Sequence, residues 1–254
     1  MKIRIRYLSD LHLEIHGYPA TLPSVGEDLV VLAGDIATGR NGALWAQRAI
    51  PDRPVIYVAG NHEFYGQDFE LLVTELRLLC ANSNVHFFEC DSLDIAGIRV
   101  LGCTLWTDFQ VFSRARTAKA MIEAHATMAD YIEIRHRGRR LVPRDTVQRC
   151  AQSLTWLDQA ITQAAEPLLV VTHHAPSLLT LNPNFAGDLS NGAFHNAFDH
   201  LLRPPVAAWI HGHTHFSTQK QIGGTALVTN QRGYPREYVG TFDWARMIEL
   251  EVSP

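Results

Sequence analysis

The sequence predicts an α/β fold with sheets of mixed strand direction, and three observations support this prediction. Short apolar runs typical of buried strands alternate with segments that repeat apolar residues at helical spacing. Two glycine-containing turns lie between alternating runs, and polar residues directly follow five of the apolar runs. These five runs span residues 3–9, 29–33, 55–59, 168–172 and 206–210.

The helical patterns lie between the first predicted strands. Apolar side chains recur at helical spacing in the segment that contains Phe69, Leu72, Val73, Leu76 and Leu79. Residues 44–50 form a shorter helix candidate that ends at Pro51. Because strand and helix alternate, we expect βαβ units with parallel pairing. The turns at 95–98 and 222–225 predict hairpins, which add antiparallel strands.

Composition limits the class of protein. The 254 residues carry no internal repeat or Pro/Gly-rich linker, so we predict a single domain over residues 1–254. A net charge of −4 argues against a general nucleic-acid binder. The chain lacks an apolar stretch of the roughly 20 residues that span a bilayer, and its first residues resemble a strand more than a signal peptide. We therefore expect a cytoplasmic protein, whose four cysteines are buried free thiols.

One segment, residues 108–149, differs from its surroundings. It is rich in Arg, Ala and Met and contains an arginine-rich run at 135–140. We predict a mostly helical insertion over or beside the site, with a solvated outer helix layer as the alternative. In the first case Arg137, Arg139 or Arg140 would reach the cleft, where a forked guanidinium can grip phosphate or carboxylate.

The polar residues after the five apolar runs are candidate metal ligands. In an open α/β sheet the loops at the carboxyl ends of strands converge on one crevice, so these residues are expected to meet. They supply carboxylate, amide and imidazole groups, which divalent transition metals prefer, and no thiolate. The candidates are Asp10, His12, Asp35, Asn61, His173, His213 and His215.

These ligands divide into two sets that share Asp35 as a bridge. The first set is Asp10, His12, Asp35 and His215, and the second is Asp35, Asn61, His173 and His213. Two divalent ions and two carboxylates leave a net charge of about plus two, which favours an anionic oxygen substrate such as phosphate. Metals about 3.5–4 Å apart can hold both an attacking hydroxide and the phosphoryl oxygens.

Three further histidines and one glutamate lie in or beside these motifs. His62 follows Asn61 and is free to steady a phosphoryl oxygen and protonate a leaving alkoxide, which makes it the candidate catalytic acid. Glu63 is expected to orient its neighbours and not to bind metal. His174 and His211 are candidates for supporting positions or for direct substrate contact.

The ordered series D-x-H, GD, GNH(D/E), H and GHxH resembles the motifs of the calcineurin-like metallophosphoesterase superfamily, from Asp10 to His215. The resemblance implies a four-layer sandwich of two mixed sheets flanked by helices. It also implies a dinuclear site of Mn, Fe or Zn with the roles given above, and it selects His173 over His174 as the ligand.

Two details refine the resemblance. Residues 36–39 depart from the GDxVDRG pattern of serine/threonine protein phosphatases, and the GHxH ending looks like that of small bacterial phosphoesterases, including cyclic-nucleotide phosphodiesterases. Residues 230–235 resemble an N-x-R-G-Y-P element of uncharacterised bacterial members. Within it, Arg232 would either hold the metal-site loops or touch the phosphate of the substrate.

The sequence therefore predicts a metal-dependent phosphoester hydrolase that uses a metal-bridging hydroxide, with phosphodiesters favoured over monoesters. Its expected partner is a phosphorylated small molecule or another phosphodiester. One alternative is a nuclease acting on DNA or RNA, against which the acidic balance argues. The other is an inactive metal-binding scaffold, against which the complete set of motifs argues.

Overall fold

Two large sheets form the centre of the computed structural model, which describes residues 2–237 and 239–252. The first sheet contains, in spatial order, Met247–Glu251 (β13), Lys2–Leu8 (β1), Leu29–Ala33 (β2), Val55–Val58 (β3) and Val85–Phe88 (β4). Strands β1 to β4 are parallel, and β13 pairs with β1 in the antiparallel direction.

The second sheet also mixes the two strand directions. It contains, in spatial order, Gln219–Ile222 (β11), Thr225–Thr229 (β12), Val206–His211 (β10), Leu168–Thr172 (β9), Ile98–Cys103 (β6) and Asp91–Ile95 (β5). Strands β12, β10, β9 and β6 are parallel, whereas β5–β6 and β11–β12 form antiparallel hairpins. Both predicted hairpin turns are confirmed.

The helices are Leu13–His16 (α1), Asn41–Ala49 (α2), Phe69–Cys80 (α3), Arg114–Thr127 (α4), Asp130–Glu133 (α5), Pro143–Gln163 (α6) and Asn191–Phe194 (α7). The helical patterns at 69–79 and 44–50 correspond to α3 and α2. Helix α3 begins after Asp68, whose side chain accepts a hydrogen bond from the backbone N–H of Glu70. Such an N-cap satisfies one of the free N–H groups at a helix start.

Apolar side chains pack in layers on both faces of the sheets. Alternate residues of a strand point to opposite faces. Ile5 and Val31 of the first sheet therefore meet Ile210 of the second in the layer between the sheets. Leu32 and Leu157 belong to the apolar layers under the outer helices. This arrangement of helices, sheet, sheet and helices confirms the predicted sandwich.

Residues 108–149 are mostly helical. They contain α4, α5 and the start of α6, together with a small hairpin of Arg135–His136 (β7) and Arg139–Arg140 (β8). Bridge pairing between Asp68 and Arg135 attaches this hairpin to the start of α3. That residues 108–149 are an insertion, and that the chain is one domain over 1–254, stay predictions.

The thiols agree with the sequence prediction, since all four cysteines are free, with Cys80, Cys103 and Cys150 buried and Cys90 half-buried. Within residues 2–237 and 239–252, no helix is both long enough and apolar enough to cross a membrane.

Candidate functional site

The candidate ligands follow the carboxyl ends of five parallel strands. Asp10 and His12 follow β1, Asp35 follows β2, Asn61 follows β3, His173 follows β9, and His213 and His215 follow β10. The first sheet therefore supplies the carboxylates and the amide, and the second sheet supplies most of the imidazoles. The structure brings all seven residues together where the two sheets meet.

The four donors of the first predicted set lie close together. One ligand atom from each of Asp10, His12, Asp35 and His215 lies within 4.8 Å of the others. The Nε2 atoms of His12 and His215 are 3.1 Å apart, and His215 Nε2 is 3.4 Å from Asp10 Oδ1. His12 Nε2 is 3.9 Å from Asp35 Oδ2. These atoms converge on one point, as ligands of a common ion do.

The second set converges on the other oxygen of Asp35. His173 Nε2 lies 3.4 Å from Asp35 Oδ1 and 3.1 Å from Asn61 Oδ1. A ligand atom of His213 lies within 4.8 Å of those of Asp35 and His173. The two oxygens of Asp35 thus face different sets, which is the geometry that a bridging carboxylate needs.

These residues fit metal ions chemically. Within the described part of the chain, the buried atoms Asp10 Oδ2 and His213 Nε2 have no hydrogen-bond partner. Such an unpaired buried group costs about 1–3 kcal/mol, which a coordinated cation would offset. Burial also holds the pKa of His213 well below its ordinary value, so the imidazole is neutral, as coordination requires. The cluster of His and Asp therefore fits divalent metal ions.

The buried carboxylates of the centre attract and stabilise positive charge on the groups around them. Burial alone would raise the pKa of Asp35, but the surrounding histidines hold it well below its ordinary value. Burial likewise opposes the charge of His173, yet the adjacent Asp35 raises the pKa of His173 to about 9. Burial also opposes the charge of His215, but the neighbouring Asp10 and Glu237 raise the pKa of His215 to about 10.

The backbone of the site is strained at the ligands. Left-handed φ angles, which cost non-glycine residues about 1–3 kcal/mol each, recur here. They are 52° at Asp10, 43° at His12, 53° at Asp35, 70° at His213 and 44° at His215. Backbone hydrogen bonds hold the loops in place, among them Asp10 N–H to Gly34 O at 3.0 Å and Gly212 N–H to His173 O at 2.9 Å. Such strain is typical of functional sites.

Two glycines allow the loops to pack this closely. Gly34 has a φ of 85°, and a Cβ there would overlap the ring of His173. A Cβ at Gly60 would overlap both the side chain and the backbone of Asp35. A side chain at either position would therefore displace a ligand.

Glu63 joins the loop that contains Asp35 to the loop that contains Gly60. Its carboxylate is fully buried and accepts hydrogen bonds from the N–H groups of Asp35 at 2.9 Å, Ile36 at 2.8 Å and Gly60 at 2.7 Å, and from the Tyr57 hydroxyl at 2.8 Å. This is the orienting position that the sequence predicts for Glu63.

His62 lies between a carboxylate and a phenol. Its Nδ1 is 3.2 Å from Glu14 Oε1, its Nε2 is 2.8 Å from the Tyr234 hydroxyl, and Nε2 is 4.0 Å from Asp35 Oδ2. Burial opposes its charge, but Asp35 and Glu14 raise the pKa of His62 above its ordinary value. The imidazole is thereby both fixed in orientation and favoured in its protonated form.

Asp130 orients a ligand from outside the predicted motifs. Its Oδ1 accepts hydrogen bonds from Asn61 Nδ2 at 2.9 Å and from the Tyr65 hydroxyl at 2.7 Å. The residue is buried in α5, within the segment 108–149. Glu237 similarly hydrogen-bonds Nδ1 of His215. Sequence reasoning missed both carboxylates, although Glu237 lies only three residues after Tyr234 of the N-x-R-G-Y-P element.

Of the two roles considered for His174, the structure favours a supporting position over contact with substrate. His174 is buried, its ring lies 4.2 Å from that of His213 and 4.9 Å from that of Trp106, and its Nδ1 is 3.2 Å from Thr104 O. Burial lowers the pKa of His174 to about 3, so a neutral ring supports His213 from behind. His211 is also buried behind the ligands, with Nδ1 3.0 Å from Gly212 O.

Arg232 supports the loops through its backbone. Its N–H donates to Ser9 O at 3.2 Å, and the N–H of Gly233 donates to Asp10 O at 3.1 Å. The guanidinium lies over the ring of Trp244, 5.3 Å from the centroid, and does not border the cavity. Of the two expected roles, the structure therefore favours holding the loops over touching phosphate.

A cavity of about 520 Å³ opens beside the ligands and is bordered by Asp35, Asn61 and His62. In the part of the chain that the structure describes, the predicted arginines 137, 139 and 140 do not border it. All three are exposed, and Arg139 pairs with Asp145 at 2.7 Å. The segment 108–149 instead contributes Met128, Ala129 and Asp130 to the cavity.

Comparison with known proteins agrees with this geometry. The family model of the calcineurin-like phosphoesterases matches residues 3–217. An uncharacterised protein of Acanthamoeba polyphaga mimivirus is 28% identical, over 92% of each chain. The structure is similar to the phosphopantetheinyl hydrolase of Mycobacterium tuberculosis, with 18% identity, a TM-score of 0.73 and coverage of 98% of this chain and 96% of that one. It is also similar to a protein of Thermus thermophilus, with 12% identity, a TM-score of 0.54 and coverage of 92% and 90%.

Proposed function

Because this chain belongs to the calcineurin-like phosphoesterase family, we propose that it hydrolyses phosphodiesters, in preference to monoesters, with two divalent transition-metal ions. The observation that carries the proposal is the pair of ligand sets that share Asp35, whose two oxygens face different histidines. Mn, Fe and Zn all suit this mixture of imidazole, carboxylate and amide donors.

Each ligand set would hold one ion. Asp10, His12 and His215 would bind the first, Asn61, His173 and His213 the second, and Asp35 would bridge them. When bound, the two ions supply an activated water and neutralise charge on the phosphoryl oxygens. Glu63, Asp130 and Glu237 keep the ligand side chains in the orientation that this chemistry requires.

His62 would donate a proton to the leaving oxygen. Glu14 fixes the Nδ1 side of the ring, so Nε2 faces Tyr234 and the Asp35 carboxylate at the cavity. Two carboxylates raise the pKa of His62, which keeps a proton available on Nε2 near neutral pH. Protonation of a leaving alkoxide by a placed acid contributes about 10²–10⁴ in rate.

The surroundings of the ligands support the preference for diesters. A diester carries one negative charge and two organic groups, whereas a monoester carries up to two charges and one organic group. Among residues 2–237 and 239–252, no lysine or arginine borders the cavity, so the second charge of a monoester would depend on the metal ions alone. The cavity of about 520 Å³ has room for an organic group beside the phosphate.

The test compares substrates and metals on stripped protein. Mn, Fe and Zn are added singly, and hydrolysis of bis-p-nitrophenyl phosphate, p-nitrophenyl phosphate and a phosphopantetheinyl ester is measured. We expect two ions per chain by elemental analysis and a higher kcat/KM for the diesters. An active enzyme with one ion at full occupancy would contradict the dinuclear site, and faster monoester hydrolysis would contradict the preference.

Two variants assign the roles. Asp35→Ala should lower the content of both ions, because the side chain would bridge them. His62→Ala should keep both ions and lose about 10²–10⁴ in rate on alkyl esters, and less on nitrophenyl esters, whose leaving group needs no proton. An equal loss on both kinds of ester would indicate that His62 positions the phosphate instead.

The nuclease alternative is tested in the same assay with single-stranded and duplex DNA and RNA. The net charge of −4 argues against a general nucleic-acid binder, and among residues 2–237 and 239–252 no lysine or arginine borders the cavity. We therefore expect no hydrolysis of polymers at concentrations where small diesters react. The cytoplasmic location stays a prediction of the sequence.

A further inference from the structure

We propose that the cavity wall formed by residues 181–195 is a subsite for an uncharged organic group of the substrate, one that carries an amide, and that His195 hydrogen-bonds that group. This inference rests on the proposed function, because it identifies the substrate class that the metal centre would act on. We call this wall the neutral subsite.

The neutral subsite combines apolar and amide side chains. Leu181 and Phe185 border the cavity with apolar surface, while Asn182 and Asn184 border it with carboxamides. Phe194 links the wall to the metal centre, since its ring stacks on that of His213 with 4.4 Å between centroids. A group bound here would therefore lie next to a phosphate held by the ligands.

The charges around the cavity exclude ionic groups at the neutral subsite. In the described parts of the chain, 2–237 and 239–252, the lining contains no lysine or arginine that would bind a second phosphate or a carboxylate. The bordering carboxylates of Asp130 and Glu237 hydrogen-bond Asn61 and His215, and neither residue belongs to the wall formed by residues 181–195. An uncharged group fits the wall best.

His195 supplies an independent sign of a ligand. It borders the cavity and is 2% exposed, yet within the described residues neither of its ring nitrogens has a hydrogen-bond partner. Burial and the nearby His211 lower the pKa of His195 to about 3, so the ring is neutral. A neutral imidazole carries one N–H donor and one acceptor, and leaving them unpaired costs about 1–3 kcal/mol each.

An amide complements this imidazole. It carries no net charge, and it can pair with the ring in either tautomer. Its N–H can donate to an unprotonated ring nitrogen, or its C=O can accept from a protonated one. Backbone contacts fix the main chain at this position, because His195 N–H donates to Asn191 O at 2.9 Å and the residue bridges to Ala175. The subsite is thus prearranged, which reduces the entropy cost of binding.

The experiment uses three p-nitrophenyl phosphodiesters of matched length. Their second arms end in an N-methylamide, a methyl group or a carboxylate, and all release the same p-nitrophenol. We expect kcat/KM for the amide arm to exceed that for the methyl arm by about 5–10-fold, mainly through KM, with the carboxylate arm slowest. A carboxylate arm that reacts as well as the amide would overturn the proposal.

Variants of His195 assign the effect. His195→Phe should abolish the advantage of the amide arm over the methyl arm, whereas His195→Gln, which keeps a donor and an acceptor, should retain part of it. His200→Phe, at an exposed position outside the cavity, is the matched control. An equal loss on all three arms in His195→Phe would mean that His195 has a structural role only, and would refute its part in recognition.

A binding experiment tests this inference independently of the proposed function. The same three diesters are titrated into metal-stripped protein, with NMR chemical shifts as the readout. Hydrolysis of the methyl-arm ester by the metal-loaded enzyme tests the phosphodiesterase function alone. Preference for the amide arm in binding tests the neutral subsite alone, and its absence would refute the subsite even in an active enzyme.

Discussion

Replacing Asp130 by alanine is expected to weaken the binding of one metal ion and leave the other unchanged. Asp130 Oδ1 accepts hydrogen bonds from Asn61 Nδ2 and from the Tyr65 hydroxyl, which are 2.9 and 2.7 Å away. These contacts direct the amide nitrogen of Asn61 away from the ligands and leave its oxygen 3.1 Å from His173 Nε2. Without the carboxylate, Asn61 Nδ2 keeps only its longer hydrogen bond to the Tyr65 hydroxyl, at 3.2 Å, to hold the amide in this orientation.

The magnitude follows from the contacts that are lost. An unpaired buried N–H costs about 1–3 kcal/mol, and the alternative, a flipped amide, turns a donor towards the metal. Loss of an outer partner of a metal ligand typically lowers affinity 10–100-fold, or about 1.4–2.7 kcal/mol. The loss should fall on the ion that Asn61 would bind, since the first set contains no contact to Asp130.

Calorimetric titration of stripped protein with Zn or Mn measures this effect. Asp130→Ala should weaken one of two binding steps by about 10–100-fold. Asp130→Asn keeps an acceptor oxygen at the same position and should lose less. Asp158→Ala, at an exposed position of α6, serves as the control. Unchanged metal affinity in both binding steps of Asp130→Ala would refute this prediction, and so would an equal loss of affinity in the two Asp130 variants.

Three further predictions concern the same region. Tyr234→Phe removes the hydroxyl at His62 Nε2 and should lower kcat on alkyl esters about tenfold at unchanged metal content; an unchanged kcat would count against it. Glu237→Gln removes the carboxylate from His215 and should weaken metal binding about 10–100-fold in the same titration, and wild-type affinity would contradict this. His195 stays neutral when folded because its pKa is lowered to about 3, whereas the unfolded chain gains a proton below about pH 6.5. The contribution of His195 to the free energy of unfolding, measured in urea, is therefore full above about pH 6.5. Between about pH 6.5 and 3 the free energy of unfolding should fall by up to about 1.4 kcal/mol per pH unit, and less steeply in His195→Phe. Parallel pH profiles for the two proteins would refute a neutral, buried His195.

The strands and the ligands were predictable because their signals are local. A buried parallel strand is a short apolar run, and the residues that follow it must lie at one edge of the sheet. Asp35 and His173 could therefore be placed in one site although 138 residues separate them. Gly34 and Gly60 marked the loops where close packing leaves no room for a side chain.

The orienting residues had no such signal. Asp130 lies in a helix of four residues that follows no strand of the sheets, and Glu14 lies in another, two residues beyond His12. Their roles depend on tertiary packing that brings distant segments onto Asn61 and His62.

For the arginines of 135–140, local structure favours the alternative of a solvated surface over contact with the cleft. Arg137 and Gly138 have φ angles of 53° and 78° and form the turn of a small hairpin. Two consecutive residues with positive φ are typical of a tight hairpin turn, and this turn directs the run along the surface. Arg139 is engaged by Asp145 at the start of α6, away from the cavity.

The division of the ligands between the two sheets has a consequence for folding. His12 and His215, whose Nε2 atoms face each other, are 203 residues apart in the chain. An ion held by both would join the first sheet to the second as a removable cross-link across almost the whole polypeptide. Free metal at 1,000 times its dissociation constant would add about 4 kcal/mol to the free energy of unfolding. The supply of metal would then determine how long the two packed sheets resist proteolysis, as well as whether the enzyme is active.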